Sequence, residues 1–357
     1  MRIIVQKFGG TSVATPEGRF QVAARVKEAL DRGLQVVVVV SAMGRFGQPY
    51  ATDTLIRLVR DIEPQVEARE LDLLMSCGEI ISTVVMVQTL KTNGIEAAAF
   101  TGGQAGILTN HVFNNARIQE IKPAMLLGCL EEGKVAVVAG FQGMTASGEI
   151  TTLGRGGSDT TGAALGVALK AEEVEIYTDV EGVMTADPRL VPQAKPLEVI
   201  TYQEICEMAH LGAKVIHPRA VEIAMEGRIP LRIRSTFSQS KGTLITDGAP
   251  LNRIEIRDDK HVTGLAHIAE MALVKIRSAM DINENGVAVR VFELMAEAGI
   301  SVDMIQVAPN QIGFIIKQDL AERARQVLEG LALEVAVEAG YAKVAIIGTG
   351  MRGVPGV

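Results

Sequence analysis

The apolar residues of this chain fall into two rhythms. Short β-branched runs alternate with longer stretches in which apolar positions recur every three or four residues. Val36 to Val40 is five valines in a row, the pattern of a strand buried on both faces of a parallel sheet. Ile3–Gln6, Glu96–Phe100, Val135–Ala139, Val174–Tyr177 and Leu231–Arg234 read the same way, and Gly242-Thr243-Leu244-Ile245 closes the series. Between them the spacing predicts helices. One spans Pro16–Arg32, with Thr15 as N-cap, Pro16 at the first position and Gly33 just beyond the end. A helical pattern over Thr54–Asn93 is expected to break at Ser76-Cys77-Gly78-Glu79 and to stop at Gly94. Others cover Pro123–Glu131, Thr160–Lys170, Tyr202–Leu211 and Pro218–Glu226. Strand, glycine-bearing loop and helix, repeated over about 245 residues, predict one large α/β domain, residues 1–246.

A polar stretch with Pro250, residues 247–261, reads as a linker. A smaller set follows over residues 262–340. It comprises strands near Val262–Ala266 and Ala272–Ile276, a helix over Val287–Glu297 between Gly286 and Gly299, strands Ile300–Val307 and Ile312–Ile316, and a helix over Leu320–Leu331. That order predicts a ferredoxin-like βα unit. Strand Ala342–Ile347 then leads into Gly348-Thr349-Gly350-Met351-Arg352-Gly353. A dinucleotide fingerprint of this form needs a helix, a second strand and an acidic residue after it. Only four residues follow, so a dinucleotide role is rejected.

Composition narrows the class. Hydrophobic residues make up 48% and charged residues 22%, a globular balance. The net charge of −7 (35 basic less 42 acidic) and the lack of a basic run argue against nucleic acid as partner. Cys77, Cys129 and Cys206 are odd in number and widely spaced, which fits reduced, mostly buried thiols in a cytoplasmic protein. No signal-peptide pattern opens the chain, and no apolar run reads as long enough to span a membrane.

Two glycine loops carry the candidate chemistry. Gly154-Arg155-Gly156-Gly157-Ser158-Asp159 precedes a helix, with Ser158 and Asp159 as N-cap residue types. Free N–H groups and a partial positive charge at a helix start make an anion site, and Arg155 adds a planar charged fork. Alone, this loop reads better as a turn with a helix cap. The second loop, Lys7-Phe8-Gly9-Gly10-Thr11-Ser12, follows a buried strand and shifts the balance. Its lysine comes before the glycines, so it is not a Walker A loop, yet one ammonium beside glycine N–H groups suits a transferred phosphoryl group. Asp179, after the strand at Val174, could orient a metal–nucleotide complex or simply cap a turn. Glu79, amid apolar helix, could meet a substrate amine or mark a break. His210 and His217 lack neighbouring ligands and read as core or helix-end histidines. No G-x-S-x-G elbow exists.

The two loops together resemble those of aspartate kinases of the amino-acid kinase family. Ser41-Ala42-Met43-Gly44, Cys77-Gly78-Glu79, Gly140-Phe141-Gln142-Gly143, Thr178-Asp179-Val180-Glu181-Gly182-Val183, Thr185-Ala186-Asp187-Pro188-Arg189 and Gly212-Ala213-Lys214-Val215 follow in the family's order. The segment Ser41–Asp53 resembles a Bacillus-type subgroup that responds to diaminopimelate, and the C-terminal part resembles ACT domains. The resemblance implies a three-layer αβα kinase domain followed by a ferredoxin-like ACT region. It implies catalytic roles for Lys7, Arg155 and Asp159. ATP contacts would fall on Lys7, Phe8, Gly9, Gly10, Ser12, Tyr177, Thr178, Asp179, Val183, Met184, Asp187, Pro188, Arg189 and Lys214. Aspartate would be held by Ser41, Thr52, Glu79, Arg155, Gly156, Gly157 and Ser158. Mg²⁺ would accompany ATP, with no protein side chain assigned as its ligand. The partners implied are L-aspartate, an effector amino acid (diaminopimelate, lysine or threonine) and a second copy of the chain, as a homodimer or higher oligomer through ACT units. No nucleic acid or membrane partner is expected.

The family usually carries two ACT units, and here the second is expected to start at residue 341 and to end at 357, short of its helix. Asn283-Glu284-Asn285-Gly286 stands where a Lys-Pro-Gly turn is common. Two other readings share the pattern. Another amino-acid kinase would lack the combination of Glu79 and an ACT-like tail. An inactive, amino-acid-binding regulatory subunit would be expected to lose Lys7, Arg155 or Asp159, and all three are present.

Overall fold

A computed structural model describes residues 1–213, 215–248, 262–278, 282, 286–331 and 333–348. Lys214, most of the expected linker, Asn283–Asn285 and the glycine run from Thr349 onward lie outside the described residues. The chain divides into two compact units, one of residues 1–264 with Ile347 onward and one of Leu265–Ile346.

The first unit runs β1 (Ile3–Phe8), α1 (Gly10–Val13), α2 (Pro16–Asp31), β2 (Gln35–Val40), α3 (Thr52–Arg60), α4 (Ala68–Thr92), β3 (Ala97–Phe100), β4 (Ile107–Thr109), β5 (Ile118–Ile121), α5 (Ala124–Glu131) and β6 (Val135–Ala139). It continues with β7 (Gln142–Thr145), β8 (Ile150–Thr152), α6 (Gly157–Ala168), β9 (Glu173–Thr178), β10 (Val199–Thr201), α7 (Tyr202–His210), α8 (Pro218–Gly227), β11 (Leu231–Ser235) and β12 (Thr243–Thr246). Eight strands form one sheet in the order β10-β12-β11-β9-β1-β2-β6-β3. The six from β11 to β3 are mutually parallel, and β12 runs antiparallel to β11.

Alternation along the strands assigns the faces. Ile4, Phe8, Val36, Val38 and Val40 pack with Val22, Val26 and Ala29 of α2 and with Met86, Val87 and Leu90 of α4. Each such buried side chain contributes about 1.5–3 kcal/mol relative to exposure. The other face, which carries Lys7, is covered by α6 against β1 and β9. Gly162 of α6 lies so close to Lys7 that an added Cβ would stand 3.2 Å from the lysine Cβ. Lys7 is thus out of phase with the core residues of its own strand and points to the layer where α6 begins.

On the α2 face of the sheet lies a buried polar network. Glu175 accepts from Gln6 at 2.8 Å, Arg234 at 2.9 Å and the Tyr177 hydroxyl at 3.0 Å. The fully buried Arg25 donates to Glu28, Gln239 and the Ser238 carbonyl. These charge-assisted bonds tie α2, β1, β9 and β11 together.

Several expectations are corrected. The break near Ser76–Glu79 is absent: α4 runs unbroken for 25 residues, and the chain instead leaves helix between α3 and α4, around Pro64. Gly78 serves close approach, since a Cβ there would lie 2.9 Å from the Ala42 Cβ and 3.0 Å from the Tyr50 carbonyl oxygen. With a mean hydropathy of 1.6, α4 is long and apolar enough to cross a membrane, contrary to the reading that no run is. Here it packs against β3, β6 and β8, with Asp72, Ser76, Glu79, Ser82 and Thr83 buried. A second sheet of four short strands, β5-β4-β7-β8, was not foreseen. Ser158 and Asp159 are not caps: Gly156, left-handed at φ 71°, is the N-cap of α6, and both residues sit in its first turn.

The second unit comprises β13 (Gly264–Arg277), α9 (Val287–Glu297), β14 (Asp303–Ala308), β15 (Gln311–Lys317), a short 3-10 turn Gln318–Leu320, α10 (Ala321–Leu328) and β16 (Glu334–Ile347). Its sheet order is β14-β15-β13-β16. Ala272, Val274, Ile276, Phe314 and Ile316 pack with Val291 and Met295 of α9 and Ala324 and Leu328 of α10. The two strands expected before the helix are one, β13, with Glu270 at φ 57° marking where the apolar alternation resumes. The strand expected at Ala342 begins at Glu334.

Candidate active site

Four parallel strands deliver their C-terminal ends to one edge of the large sheet, where ligands gather in open α/β folds. Lys7 ends β1, Ser41 follows β2, Gly140-Phe141 follows β6 and Asp179 follows β9. A cavity of about 300 Å³ opens among them. Its lining includes Lys7, Ser41, Thr52, Glu79, Arg155 and Asp159, with Gly10, Gly156, Gly157 and Ser158. Of the residues expected at a substrate site, all seven line this one cavity.

The charges are arranged in opposition. The Lys7 ammonium lies 2.5 Å from an Asp159 carboxylate oxygen, and both side chains are largely enclosed. Arg155 is exposed at the mouth. Glu79 is 2% exposed and reaches in from α4, where its Oε1 accepts from the Ala42 N–H at 3.1 Å. Its Oε2 is buried with no hydrogen-bond partner among the described residues. Burial pushes its carboxyl up to about 8, and the Ala42 N–H pulls only weakly against that.

The loop before α6 is held from behind. The His217 ring caps α8, accepting from the Arg219 N–H at 3.3 Å, and packs where a side chain at Gly156 would go. A Cβ at Gly156 would fall 2.2 Å from the His217 Cγ. Burial holds the His217 imidazole below its usual value, while Asp159 pulls it up. Arg219 donates to the Leu153 carbonyl at 2.9 Å. The Phe141 N–H donates to the Thr161 hydroxyl at 3.0 Å, joining the β6 loop to α6. His217 therefore is a helix-end histidine, and it also braces the loop. That second role, like those of Arg219 and Phe141, was not anticipated, because their partners stand far off in sequence.

The residues expected to meet a nucleotide are less uniform. Phe8 and Tyr177 are fully buried, and their rings stack at 4.6 Å with 15° between planes. Neither ring is offered to a ligand. The Gly9 N–H donates to the Tyr177 carbonyl at 3.2 Å, and the Ser12 hydroxyl pairs with Thr236 at 2.7 Å. Gly9 and Ser12 thus each have a partner within the protein. Gly10 lines the cavity. Its backbone runs so close to the β2 loop that a Cβ would meet the Ala42 carbonyl oxygen at 2.6 Å. Val183 is buried, its N–H bonded to Thr243 at 2.8 Å. Met184 is half-buried and bridges to Pro196. Pro188 is exposed, and Asp187 is bonded to its neighbour Arg189 at 2.7 Å. Thr178 bonds to Asp179, and Asp179 pairs with Arg45 of the β2 loop at 3.0 Å. Arg45, Phe46, Asp53 and Phe141 also line the cavity without having been singled out.

The chain matches the Amino acid kinase family over residues 2–235 and an ACT domain over residues 275–330. It is 50% identical to Aspartokinase 1 of Bacillus subtilis, covering all of this chain and 88% of that protein. Identity to the aspartokinase of Thermus thermophilus is 44%, with the same coverages of 100% and 88%. Among solved structures, it is similar to Escherichia coli aspartokinase III in complex with lysine and aspartate. That match has a TM-score of 0.76 and 30% identity over 97% of this chain and 87% of that one. A UMP kinase from Bacillus anthracis shares the fold at TM-score 0.52, with 16% identity over 70% of this chain and 97% of that one.

Proposed function

Since this chain belongs to the amino acid kinase family, and within it to the aspartokinases, we propose that the cavity beside Lys7, Glu79 and Asp159 is where phosphoryl transfer takes place. The activity is that of an aspartokinase: the γ-phosphoryl group of ATP passes to the β-carboxylate of L-aspartate, giving 4-phospho-L-aspartate. This is the first step toward lysine, threonine, methionine and diaminopimelate.

The observation that carries the reading is the meeting of Lys7, Asp159, Glu79 and the Arg155 loop in one cavity. The acceptor is a carboxylate, ionised at neutral pH, so no general base is needed. Two anions must instead be held together, and the chain's contribution is position and positive charge. Arg155 suits the α-carboxylate, with Ser41, Thr52 and the Gly156-Gly157-Ser158 turn around it. Glu79 suits the α-ammonium. Lys7 suits the transferred group, and the start of α6 points a helix N-terminus into the same space. Asp159 sets the position of Lys7. Gly10, which lines the cavity, is assigned to ATP together with Thr178, Asp179, Asp187 and Arg189, and with Lys214 beyond the described residues. Mg²⁺ fits as a companion of the ATP phosphates, where it would neutralise their charge. No protein side chain is assigned as its ligand, and no cluster of three metal-ligand residues occurs among the described residues.

The unit from Leu265 to Ile346 is proposed as the effector-binding ACT region, with diaminopimelate, lysine or threonine as effector. Its edge strand β14 exposes Met304, Ile305 and Val307. An open apolar edge of this kind suits pairing with a second copy, which supports a homodimer or larger assembly. The division into a kinase part to residue 246, a linker to 261 and an ACT part from 262, with a second ACT unit beginning at 341, is part of the same proposal. A cytoplasmic location accords with three free cysteines.

The test is ATP- and Mg²⁺-dependent formation of an acyl phosphate from L-aspartate, trapped with hydroxylamine, with and without each candidate effector. Aspartate-dependent hydroxamate is expected, and its absence from folded protein would exclude the assignment.

A further inference from the structure

This inference rests on the aspartokinase reading and concerns the protonation of Glu79. Gly78 lets α4 approach the β2 loop, and that approach seats the Glu79 carboxyl against the single N–H of Ala42. The second oxygen, Oε2, is buried and unpartnered among the described residues. The other charged groups around the cavity are Lys7 from β1, Arg45 and Asp53 from the β2 loop and α3, and Arg155 and Asp159 at the start of α6. On α4 itself the nearest buried acid, Asp72, is bound to Thr152 and Asn114 instead. Lys7 is paired with Asp159 and Arg45 with Asp179. Arg155 is exposed at the mouth, so among the described residues no cation pairs with Glu79, and a buried carboxylate without one is strongly disfavoured.

The substrate has the opposite problem. Aspartate carries two carboxylates and one ammonium. A permanently ionised Glu79 would repel it until the ammonium was seated. A neutral acid offers no such repulsion. We propose that aspartate binding expels a proton from this site. The free enzyme holds Glu79 as a carboxylic acid. The arriving α-ammonium converts it to a carboxylate in an ion pair, and the acid's proton passes to solvent. One O–H bond breaks, the ammonium keeps its three hydrogens, and no other reactant takes part. A dicarboxylic acid without an amine drives no such exchange, so the step also selects for an amino acid. Burial, which raises the Glu79 carboxyl to about 8, agrees with the geometry.

The experiment is titration calorimetry of the whole protein with L-aspartate at pH 7, in buffers of small and large ionisation enthalpy, alongside the hydroxamate assay. Release of about 0.9 proton per aspartate bound is expected at pH 7, falling to near zero by about pH 9, below the range in which aspartate's own ammonium titrates. The aspartate KM is expected to fall about tenfold from pH 6 to pH 7. Glu79→Gln should abolish the release and flatten that profile, and succinate should bind, if at all, without proton exchange. Equal heats in all buffers, with hydroxamate still formed, would overturn the inference and leave the kinase reading intact. Undiminished release from Glu79→Gln would overturn it too. No binding heat and no hydroxamate would overturn the reading and the inference together.

Discussion

Asp72 and Glu79 stand seven residues apart on α4, and both are buried, yet their surroundings have nothing in common. Both oxygens of Asp72 are occupied. It accepts from the Thr152 N–H at 2.8 Å, the Thr152 hydroxyl at 2.5 Å and the Asn114 N–H at 3.0 Å. Burial raises its carboxyl above the ordinary value, and those donors pull it back. Among the described residues, Glu79 has one donor and one oxygen without a partner. A saturated carboxylate has no capacity left for a ligand and serves to pin α4 to β8 and the loop before β5. A half-saturated one stores a desolvation cost that a ligand can relieve. Burial alone does not separate structure from function on this helix; the tally of donors does.

Four changes would break or sharpen that contrast. The largest effect is expected from Glu79→Ala, which should cut aspartate-dependent turnover at least ~100-fold by removing the ammonium's partner. Melting temperature should not fall, and a folded variant with near-native kinetics would erase the distinction. Next comes Asp72→Asn. It turns donors toward donors and should lower stability by about 3 kcal/mol in denaturant melts, with turnover per folded molecule preserved.

A smaller effect concerns pH. The folded-state value for Glu79, about 8, lies above that of the unfolded chain. The native state therefore keeps a proton that the unfolded chain releases. Its stabilising contribution is complete below the unfolded value near 4.5 and fades as pH rises through about 8. Relative to the native protein, Glu79→Gln should gain up to about 1.4 kcal/mol per pH unit within that window. Parallel melting curves from pH 5 to pH 8 would contradict this. The smallest effect belongs to Ser82, whose buried hydroxyl also lacks a partner among the described residues. It does not line the cavity. Ser82→Ala should shift stability by no more than about 0.5 kcal/mol, in the favourable direction, and leave KM unchanged.

Much of this molecule is legible along the chain because the relevant signals are local. Five consecutive valines favour a doubly covered strand, and β2 is one. Thr15, Pro16 and Gly33 bound α2 as capping chemistry requires, with the Thr15 hydroxyl accepting from the Gly18 N–H. The sheet of β5, β4, β7 and β8 escaped because its strands have three or four residues, too few for a period to declare itself. Gly78 was read as a break because a glycine in a helix looks the same whether it ends the helix or admits a neighbour. Within the site, the glycines and Lys7 stand out in sequence. Arg155 stands out as an anion-binding fork, whereas Glu79 was left between an amine partner and a helix break until the resemblance assigned it. The Lys7–Asp159 pair joins residues from distant parts of the chain, and Asp72 meets Thr152 across 80 positions. No spacing rule reaches that far. Tyr177 was expected beside a nucleotide by the resemblance alone, and its ring stacks under the sheet on Phe8.

Gly156 carries a consequence for how such a site can change over generations. Its left-handed φ of 71° is unfavourable for most other residues, and the His217 ring fills the space where their Cβ would lie. Substituting Gly156 alone meets both obstacles. Removing the ring at 217 relieves only the second and strips the cap from α8. The two positions, 61 apart in sequence, form a genetic unit. The loop that holds Arg155 and Asp159 can be lost through one mutation but reshaped only through coordinated ones, so descent should vary the rim of the cavity long before it varies this turn.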